Sequence, residues 1–178
     1  SRRKDFAFPP PKKTVCEELN EAGVSVTGVG KIGHIFSHRG MSKEIPTENN
    51  QHGMDVTLER MEAGDDFIFT NLVDFDSKYG HRRNPEGYAQ ALMNFDERVN
   101  EFVDAMDKGD LLILTADHGN DPTFRGTDHT REYVPLLVLQ KGLDTGRSLG
   151  TRSSFCDIGA SVADYFGVSW EPGESFLT

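Results

Sequence analysis

Positive charge is scarce in this sequence. Its 178 residues contain 19 lysines and arginines against 29 aspartates and glutamates, which gives a formal net charge of −10. Because so acidic a chain would be repelled by the phosphates of DNA or RNA, we expect no nucleic-acid partner. An acidic chain that handles an anionic substrate needs a local positive centre, and a bound metal ion can supply one.

Long apolar runs and closely spaced cysteines are missing too. The apolar runs are short, so we expect no membrane-spanning segment. The two cysteines, Cys16 and Cys156, lie far apart in helix-like apolar patterns, which favours two buried thiols in a reducing cytoplasm. No signal peptide is visible, and the chain opens with Ser-Arg-Arg. We therefore expect a cytoplasmic protein, and interpret the chain as a processed product or a piece of a longer one.

Strands and helices alternate along the sequence. Hydrophobic residues make up 36% of the chain, which is enough for a core. Apolar stretches predict strands within residues 24–29, 65–76, 110–117 and 133–140, the middle two buried on both faces. Capping signals and apolar periodicity predict helices at residues 14–22, 54–63, 85–106 and 155–167, with an irregular segment at 30–53. This alternation predicts an α/β fold, a mostly parallel sheet with helices on both faces.

Two predicted strands lead into residues that commonly bind metal ions. The stretch LLILTADH ends in Asp117 and His118. The stretch NLVDFDSKYGH contains Asp74 and Asp76, with His81 five residues after Asp76. Sites in open α/β sheets gather at the carboxyl ends of strands, so we expect these side chains to meet. Spacing alone leaves open which of the two aspartates enters the site.

A second Asp-His pair, Asp128 and His129, follows the first within the polar segment 115–130. An isolated pair of this kind usually caps a turn or makes a surface hydrogen bond. Here the carboxylates follow apolar strands, and a buried carboxylate needs a partner. Carboxylate and imidazole donors without cysteine suit manganese, zinc or iron. Two neighbouring divalent ions would offset the repulsion among the carboxylates and could clamp a phosphoryl group.

The motifs TADHGND, GTDHTREYVP and NLVDFDSKYGHRRNPEGY resemble those of the phosphopentomutases, a family of alkaline-phosphatase-like metalloenzymes. The resemblance runs from about Arg3 to Leu177. It implies an alkaline-phosphatase-like core, incomplete in this chain, and an enzyme that interconverts the 1- and 5-phosphates of ribose and 2-deoxyribose. The resemblance thus implies a sugar phosphate as the small-molecule substrate, to which a phosphothreonine of the enzyme donates its phosphoryl group.

The resemblance also implies a ligand set for two divalent metal ions, with manganese expected and zinc compatible with the donors. One ion would be held by Asp76, His81 and His129. The other would be held by Asp117 and His118, together with an aspartate and a phosphorylated threonine from earlier in the protein. The resemblance, and not the spacing, ranks Asp76 over its neighbour. Asp74 and Asp128 then become supporting residues.

The same resemblance divides the chain. Residues 1–8 would be the end of an inserted cap domain or connector, and residues 9–178 the C-terminal part of the metal-binding core. Lys31 and Arg3 resemble residues that contact the substrate phosphate. No threonine in this chain matches the nucleophile motif, so the sequence offers no catalytic nucleophile. We therefore expect the 178 residues alone to be inactive, and activity to need the missing N-terminal part of the core and the cap.

Several alternatives stay open. The GVGKIG motif at residues 28–33 matches a dinucleotide-binding pattern, although no convincing helix follows it. His34 and His38 have a metal-compatible spacing, although a surface turn is the commoner setting. A cofactor-independent phosphoglycerate mutase also carries an ADHGN stretch. A metal-dependent phosphatase or sulfatase relative and an inactive metal-binding fragment complete the set.

Overall fold

The computed structural model describes residues 8–143 and 145–177. In chain order the elements are α1 (Val15–Glu21), β1 (Val26–Val29), α2 (Ile32–Ile35), β2 (Lys43–Ile45), α3 (Asn50–Glu62), β3 (Phe67–Thr70), a π-helical turn π1 (Phe75–Gly80), α4 (Pro85–Ala105), β4 (Leu111–Thr115), β5 (Leu136–Gln140) and α5 (Cys156–Tyr165). The described residues fall into two compact units. The first draws on residues 8–48, 63–71 and 147–177, and the second on residues 49–62, 72–143 and 145–146.

The first unit is built on a three-stranded parallel sheet in the order β2–β1–β3. Strand β1 is buried along its whole length because it has a neighbour on each side. The parallel sheet and its helices confirm the predicted α/β class. Strand β2 was not predicted, because its three residues, Lys-Glu-Ile, carry no apolar pattern.

Helix α1 begins as its sequence indicates. The backbone N–H of Glu17 donates to Thr14 Oγ1 at 3.3 Å, and the backbone N–H of Thr14 donates to Glu17 Oε2 at 2.8 Å. This reciprocal pair is the predicted capping box, and it satisfies two N–H groups that the helix itself cannot. Gly23 follows the helix with a φ of +90°, as expected of a glycine that closes a helix.

The second unit contains α3, π1, α4 and an antiparallel pair of strands, β4 and β5. Helix α4 follows its predicted cap, with the backbone N–H of Gly87 donating to Asn84 Oδ1 at 2.9 Å. Strand β5 departs from the mostly parallel arrangement because no helix separates it from β4. A parallel return needs a long crossover, whereas a chain that folds straight back pairs antiparallel.

Two predicted burials are wrong. Strands β3 and β4, expected to be covered on both faces, are half-buried for most of their length. Of the two cysteines, Cys16 is fully buried, and burial raises its pKa to about 12. Cys156 is exposed instead, because α5 begins at this residue, ahead of the helix's buried positions. Neither unit contains, among the described residues, a helix with the length and apolar character that a bilayer crossing requires.

Asp157 anchors the segment after α5 in the first unit. It is 4% exposed. It accepts hydrogen bonds from Arg152 Nε at 2.7 Å and from the backbone N–H of Glu174 at 3.0 Å. The Arg152 guanidinium, followed by the Glu174 amide, holds the pKa of Asp157 below its ordinary value. The folded state therefore favours the charged carboxylate.

This anchor predicts a pH-dependent stability. A carboxylate with a depressed pKa stabilises the fold fully above its unfolded-state pKa of about 3.9, and that contribution is lost as the pH falls through the folded-state pKa. We expect Asp157→Asn to lower the free energy of unfolding at pH 7. The gap in free energy of unfolding between the variant and the native chain should narrow below about pH 4. Urea denaturation at several pH values measures this, with Asp104→Asn on exposed helix surface as the control. A gap that stays constant down to pH 2 would contradict the assignment.

Candidate metal centre

A closed loop after β4 explains why two Asp-His pairs lie eleven positions apart. Gly119 and Thr130 form an isolated antiparallel bridge, in which the Thr130 N–H donates to the Gly119 carbonyl at 3.0 Å. Thr130 Oγ1 also accepts a hydrogen bond from the Asp121 N–H at 2.8 Å. The bridge therefore brings the residues that precede Gly119 and Thr130, which are His118 and His129, side by side. Their rings stack with centroids 3.6 Å apart and an interplanar angle of 22°.

The π-helical turn π1 supplies the second half of the cluster. Its last bond runs from the backbone N–H of His81 to the carbonyl of Asp76 at 3.0 Å, a separation of five residues. The five-residue separation of Asp76 and His81 in the sequence therefore equals the separation that a π-helical hydrogen bond spans. Such turns are rare and are found often at functional sites. The turn places the His81 ring against the His129 ring, with centroids 4.8 Å apart.

One carboxylate oxygen lies at the centre of this arrangement. Asp76 Oδ1 is 3.2 Å from His81 Nε2 and 3.1 Å from His129 Nε2. The three ligand atoms of Asp76, His81 and His129 lie within 4.8 Å of one another. Ligands of one tetrahedral ion at about 2.1 Å stand roughly 3.4 Å apart, so these separations suit a shared cation. Among residues 8–143 and 145–177 this is the one group of three or more such side chains.

The hydrogen bonds on the far side of the rings favour metal binding. His81 Nδ1 is 2.6 Å from the Thr127 carbonyl, and His118 Nδ1 is 3.1 Å from the Gly119 carbonyl. A carbonyl only accepts, so each Nδ1 donates a proton, and in the neutral form of each ring Nε2 carries none. A bare Nε2 facing Asp76 Oδ1 sets two acceptors against each other. A proton or a metal ion between them relieves that conflict, and the donor set fits a divalent ion.

The remaining predicted pair borders this cluster. His118 Nε2 is 3.5 Å from Asp117 Oδ2, and the Asp117 side chain is 70% exposed. The stacking of His118 on His129 brings the pair next to the three-residue group. Negatively charged side chains are close together here. Burial raises the pKa of Tyr88, and the negative charges of Asp76 and Glu132 raise it further. A positive ion would therefore be attracted to this region.

The structure separates the two aspartates that the spacing could not. Asp74 Oδ2 accepts a hydrogen bond from the backbone N–H of Asn50 at 3.1 Å, and its own N–H donates to Asn50 Oδ1 at 2.9 Å. Lys78 Nζ lies 3.0 Å from the same carboxylate oxygen. Asp74 thus caps the start of α3, which explains why that helix begins four residues earlier than predicted. Asp128 lies exposed in the loop before His129.

Of the two predicted phosphate contacts, one lies in the first unit and the other lies outside the described residues. Lys31 belongs to the first unit, where it is exposed and precedes α2. Arg3 lies outside the described residues.

Within GVGKIG, Gly30 has a φ of +80°, and an added Cβ would lie 2.5 Å from the Asn71 carbonyl oxygen. Helix α2 has four residues, too few for a dinucleotide-binding helix, so a packing constraint explains this glycine better.

The other predicted histidine pair is bound within the first unit. His38 Nδ1 lies 2.7 Å from Glu44 Oε2, and the rings of His34 and His38 are 5.0 Å apart at 67°. A hydrogen bond to Glu44 and an edge-to-face ring contact account for this spacing. The residue that sequence reasoning missed is Asn120, whose Nδ2 lies 2.6 Å from Asp76 Oδ1. Its position two residues after His118 was the available signal.

Comparison with known proteins gives consistent matches. The model of the metalloenzyme superfamily matches residues 10–170. A phosphopentomutase of Anaeromyxobacter sp. (strain K) is 54% identical over 178 residues, covering 98% of this chain and 45% of that protein. Those of Deinococcus radiodurans and Alkaliphilus metalliredigens are 51% and 47% identical, with 45% and 46% of their lengths covered. The chain thus spans less than half the length of these curated relatives.

A solved structure shows a similar fold. The structure of the PH0037 protein from Pyrococcus horikoshii has a TM-score of 0.64 and 19% sequence identity. The match covers 87% of this chain and 52% of that one. At this identity the likeness concerns the fold alone, which agrees with the α/β class of the described elements.

The geometry predicts different roles for the two neighbouring aspartates. Asp76→Ala should weaken the binding of Mn²⁺ or Zn²⁺ by more than about 100-fold, since loss of a direct ligand should cost at least as much as loss of a supporting partner. The matched change Asp74→Ala should leave metal affinity unchanged and lower the stability by about 1 kcal/mol through the lost helix cap. Calorimetric titration and urea denaturation measure the two effects.

The native chain should bind about one equivalent tightly, because three protein ligands can hold an ion while a position stays open. Elemental analysis of protein purified without a chelator checks this stoichiometry. Two firmly held ions, or equal losses of affinity in the two aspartate variants, would contradict the assignment.

Proposed function

Because the chain belongs to the metalloenzyme superfamily, a membership that implies divalent-metal binding, we propose that it is the metal-binding part of a phosphopentomutase. The single observation that carries the proposal is the convergence of Asp76, His81 and His129 on one point. The 47–54% identity to phosphopentomutases supports it further. In this proposal the three residues hold one ion, and Asp117 and His118 contribute to a second.

The proposed reaction moves a phosphoryl group between the 1- and 5-positions of ribose or 2-deoxyribose through a phosphothreonine enzyme. That threonine, together with a further metal-binding aspartate, belongs in our proposal to the part of the relatives that this chain does not cover. We keep residues 1–8 as the end of a cap domain or connector, and residues 9–178 as the C-terminal part of the core. The isolated chain is then inactive, and activity requires the rest of the core and the cap.

The described residues would prepare the site for an anion. When bound, divalent ions neutralise non-bridging phosphoryl oxygens and stabilise the attacking and leaving oxygens. The Thr127 carbonyl fixes the His81 ring so that Nε2 stays available. Without cations, the net charge of −10 would repel a sugar phosphate. Lys31 and Arg3 remain proposed phosphate contacts.

Ion identity and setting belong to the proposal as well. Manganese is the proposed ion because the resemblance to phosphopentomutases implies it, and the donors, one carboxylate and two imidazoles, are compatible with both manganese and zinc. A small sugar phosphate is the proposed partner, with no nucleic acid. A role in nucleotide metabolism follows from the pentose phosphates. Two free thiols favour a reducing cytoplasm.

Mutase assays test the proposal. The gene product of the relatives' length should convert ribose 1-phosphate to ribose 5-phosphate, and the 178 residues alone should not. Asp76→Ala in the longer protein should reduce kcat/KM by more than about 100-fold. The same change at Asp104, on exposed surface of α4, serves as the control.

Three results would redirect the proposal. Mutase activity of the 178 residues alone would refute the missing nucleophile. Release of inorganic phosphate would favour a phosphatase, and conversion of phosphoglycerate would favour a phosphoglycerate mutase. Metal binding without activity in the longer protein would favour an inactive metal-binding scaffold.

A further inference from the structure

We propose that Asn120 is a positioning residue that fixes Asp76 for metal binding, and that residue 80 is a glycine so that Asn120 can reach Asp76. This inference rests on the proposed role of Asp76 as a metal ligand. It concerns how the ligand is held, and it does not depend on which substrate the site takes.

The contact between Asn120 and Asp76 is short and sheltered. Asn120 is 8% exposed, and its Nδ2 lies 2.6 Å from Asp76 Oδ1. A carboxylate only accepts, so the amide must present its N–H₂ group and its orientation is determined. The bond joins the loop after β4 to the turn π1, the two segments that carry the metal-type residues.

Gly80 leaves the space that Asn120 occupies. It is buried at the end of π1. A Cβ added at Gly80 would overlap the Asn120 side-chain amide. Any larger residue would therefore push the amide away from Asp76 or distort the turn. The close approach of backbone and side chain is the reason for glycine here.

The chemistry of the amide suits a supporting role. The same oxygen, Asp76 Oδ1, faces His81 Nε2 at 3.2 Å and His129 Nε2 at 3.1 Å. A rotation of the Asp76 side chain would separate it from both nitrogens. An amide holds the carboxylate without neutralising it, whereas lysine or arginine would compete with the cation. Partners that orient a ligand in this way typically contribute 10- to 100-fold, roughly, to metal affinity.

Metal titration of the 178-residue chain tests the proposal. Asn120→Ala and Gly80→Ala should each weaken Mn²⁺ binding by about 10- to 100-fold in calorimetric titration. Asn100→Ala, on exposed surface of α4, is the control for the first. Gly146→Ala is the control for the second, because an added Cβ there meets nothing within 4 Å. Both controls should bind as the native chain does.

A double variant shows whether the two positions act together. In the Asn120→Ala background the amide is gone, so adding Gly80→Ala should cost little further affinity. Strictly additive losses would overturn the link between Gly80 and Asn120. Thermal unfolding of the metal-free proteins separates positioning from folding. A fall in Tm with an unchanged dissociation constant, or loss of the fold in Asn120→Ala, would assign Asn120 a structural role and overturn the proposal.

The titration distinguishes this inference from the proposed function. No sugar phosphate is used, so an error about the mutase reaction leaves the expected affinities unchanged. An Asp76→Ala variant that binds Mn²⁺ as tightly as the native chain would instead remove the metal site itself.

Discussion

The arrangement around Asp76 depends on one carboxylate oxygen that two imidazole rings share. This oxygen, Asp76 Oδ1, lies 3.1 and 3.2 Å from the Nε2 atoms of His129 and His81. In the neutral form of His81, the carbonyl that accepts from Nδ1 leaves Nε2 without a proton, so that nitrogen and the carboxylate oxygen repel each other. A cation turns this repulsion into attraction, and in a chain with a net charge of −10 it also makes the region approachable for an anion. The π-helical turn and the bridged loop after β4, both in the second unit, hold these groups in place.

Local backbone features perform that task. Asp76 and His81 are five residues apart in the sequence, and the π-helical turn brings them to the same side of the chain. The bridge between Gly119 and Thr130 folds the loop after β4 back on itself and returns His129 to the same place. Neither feature depends on a large core. This fits a unit whose paired strands β4 and β5 are largely half-buried or exposed.

Sequence reasoning succeeded where a local signal decides the structure. The capping box at Thr14, the Asn84-Pro85 start of α4 and the apolar stretches of β1 and β4 each act over a few residues. The metal-type residues were recognisable because they follow apolar strands. Their convergence depends on a π-helical turn and on the bridge within the loop after β4. The sequence indicated the π-helical turn only through the five-residue spacing of Asp76 and His81.

Features set by distant partners could not be predicted. Strand β2 exists because β1 offers a free edge, although its own residues carry no apolar pattern. Helix α3 starts early because Asp74, 24 residues away from Asn50, caps it. The antiparallel direction of β5 follows from the missing crossover helix. Asn120 was overlooked because an amide within a polar loop gives no sign of its partner until Asp76 is placed beside it.

Paramagnetic broadening by Mn²⁺ tests the central claim most directly, because it reports which of the chain's 6 imidazoles lie beside the bound ion. Imidazole resonances can be followed by NMR as substoichiometric Mn²⁺ is added to the native chain and to its Asp76→Ala variant. The account predicts that the signals of His81, His118 and His129 broaden in the native chain and persist at the same Mn²⁺ concentration in the variant. Equal broadening of these three signals in the two proteins would contradict a metal centre around Asp76.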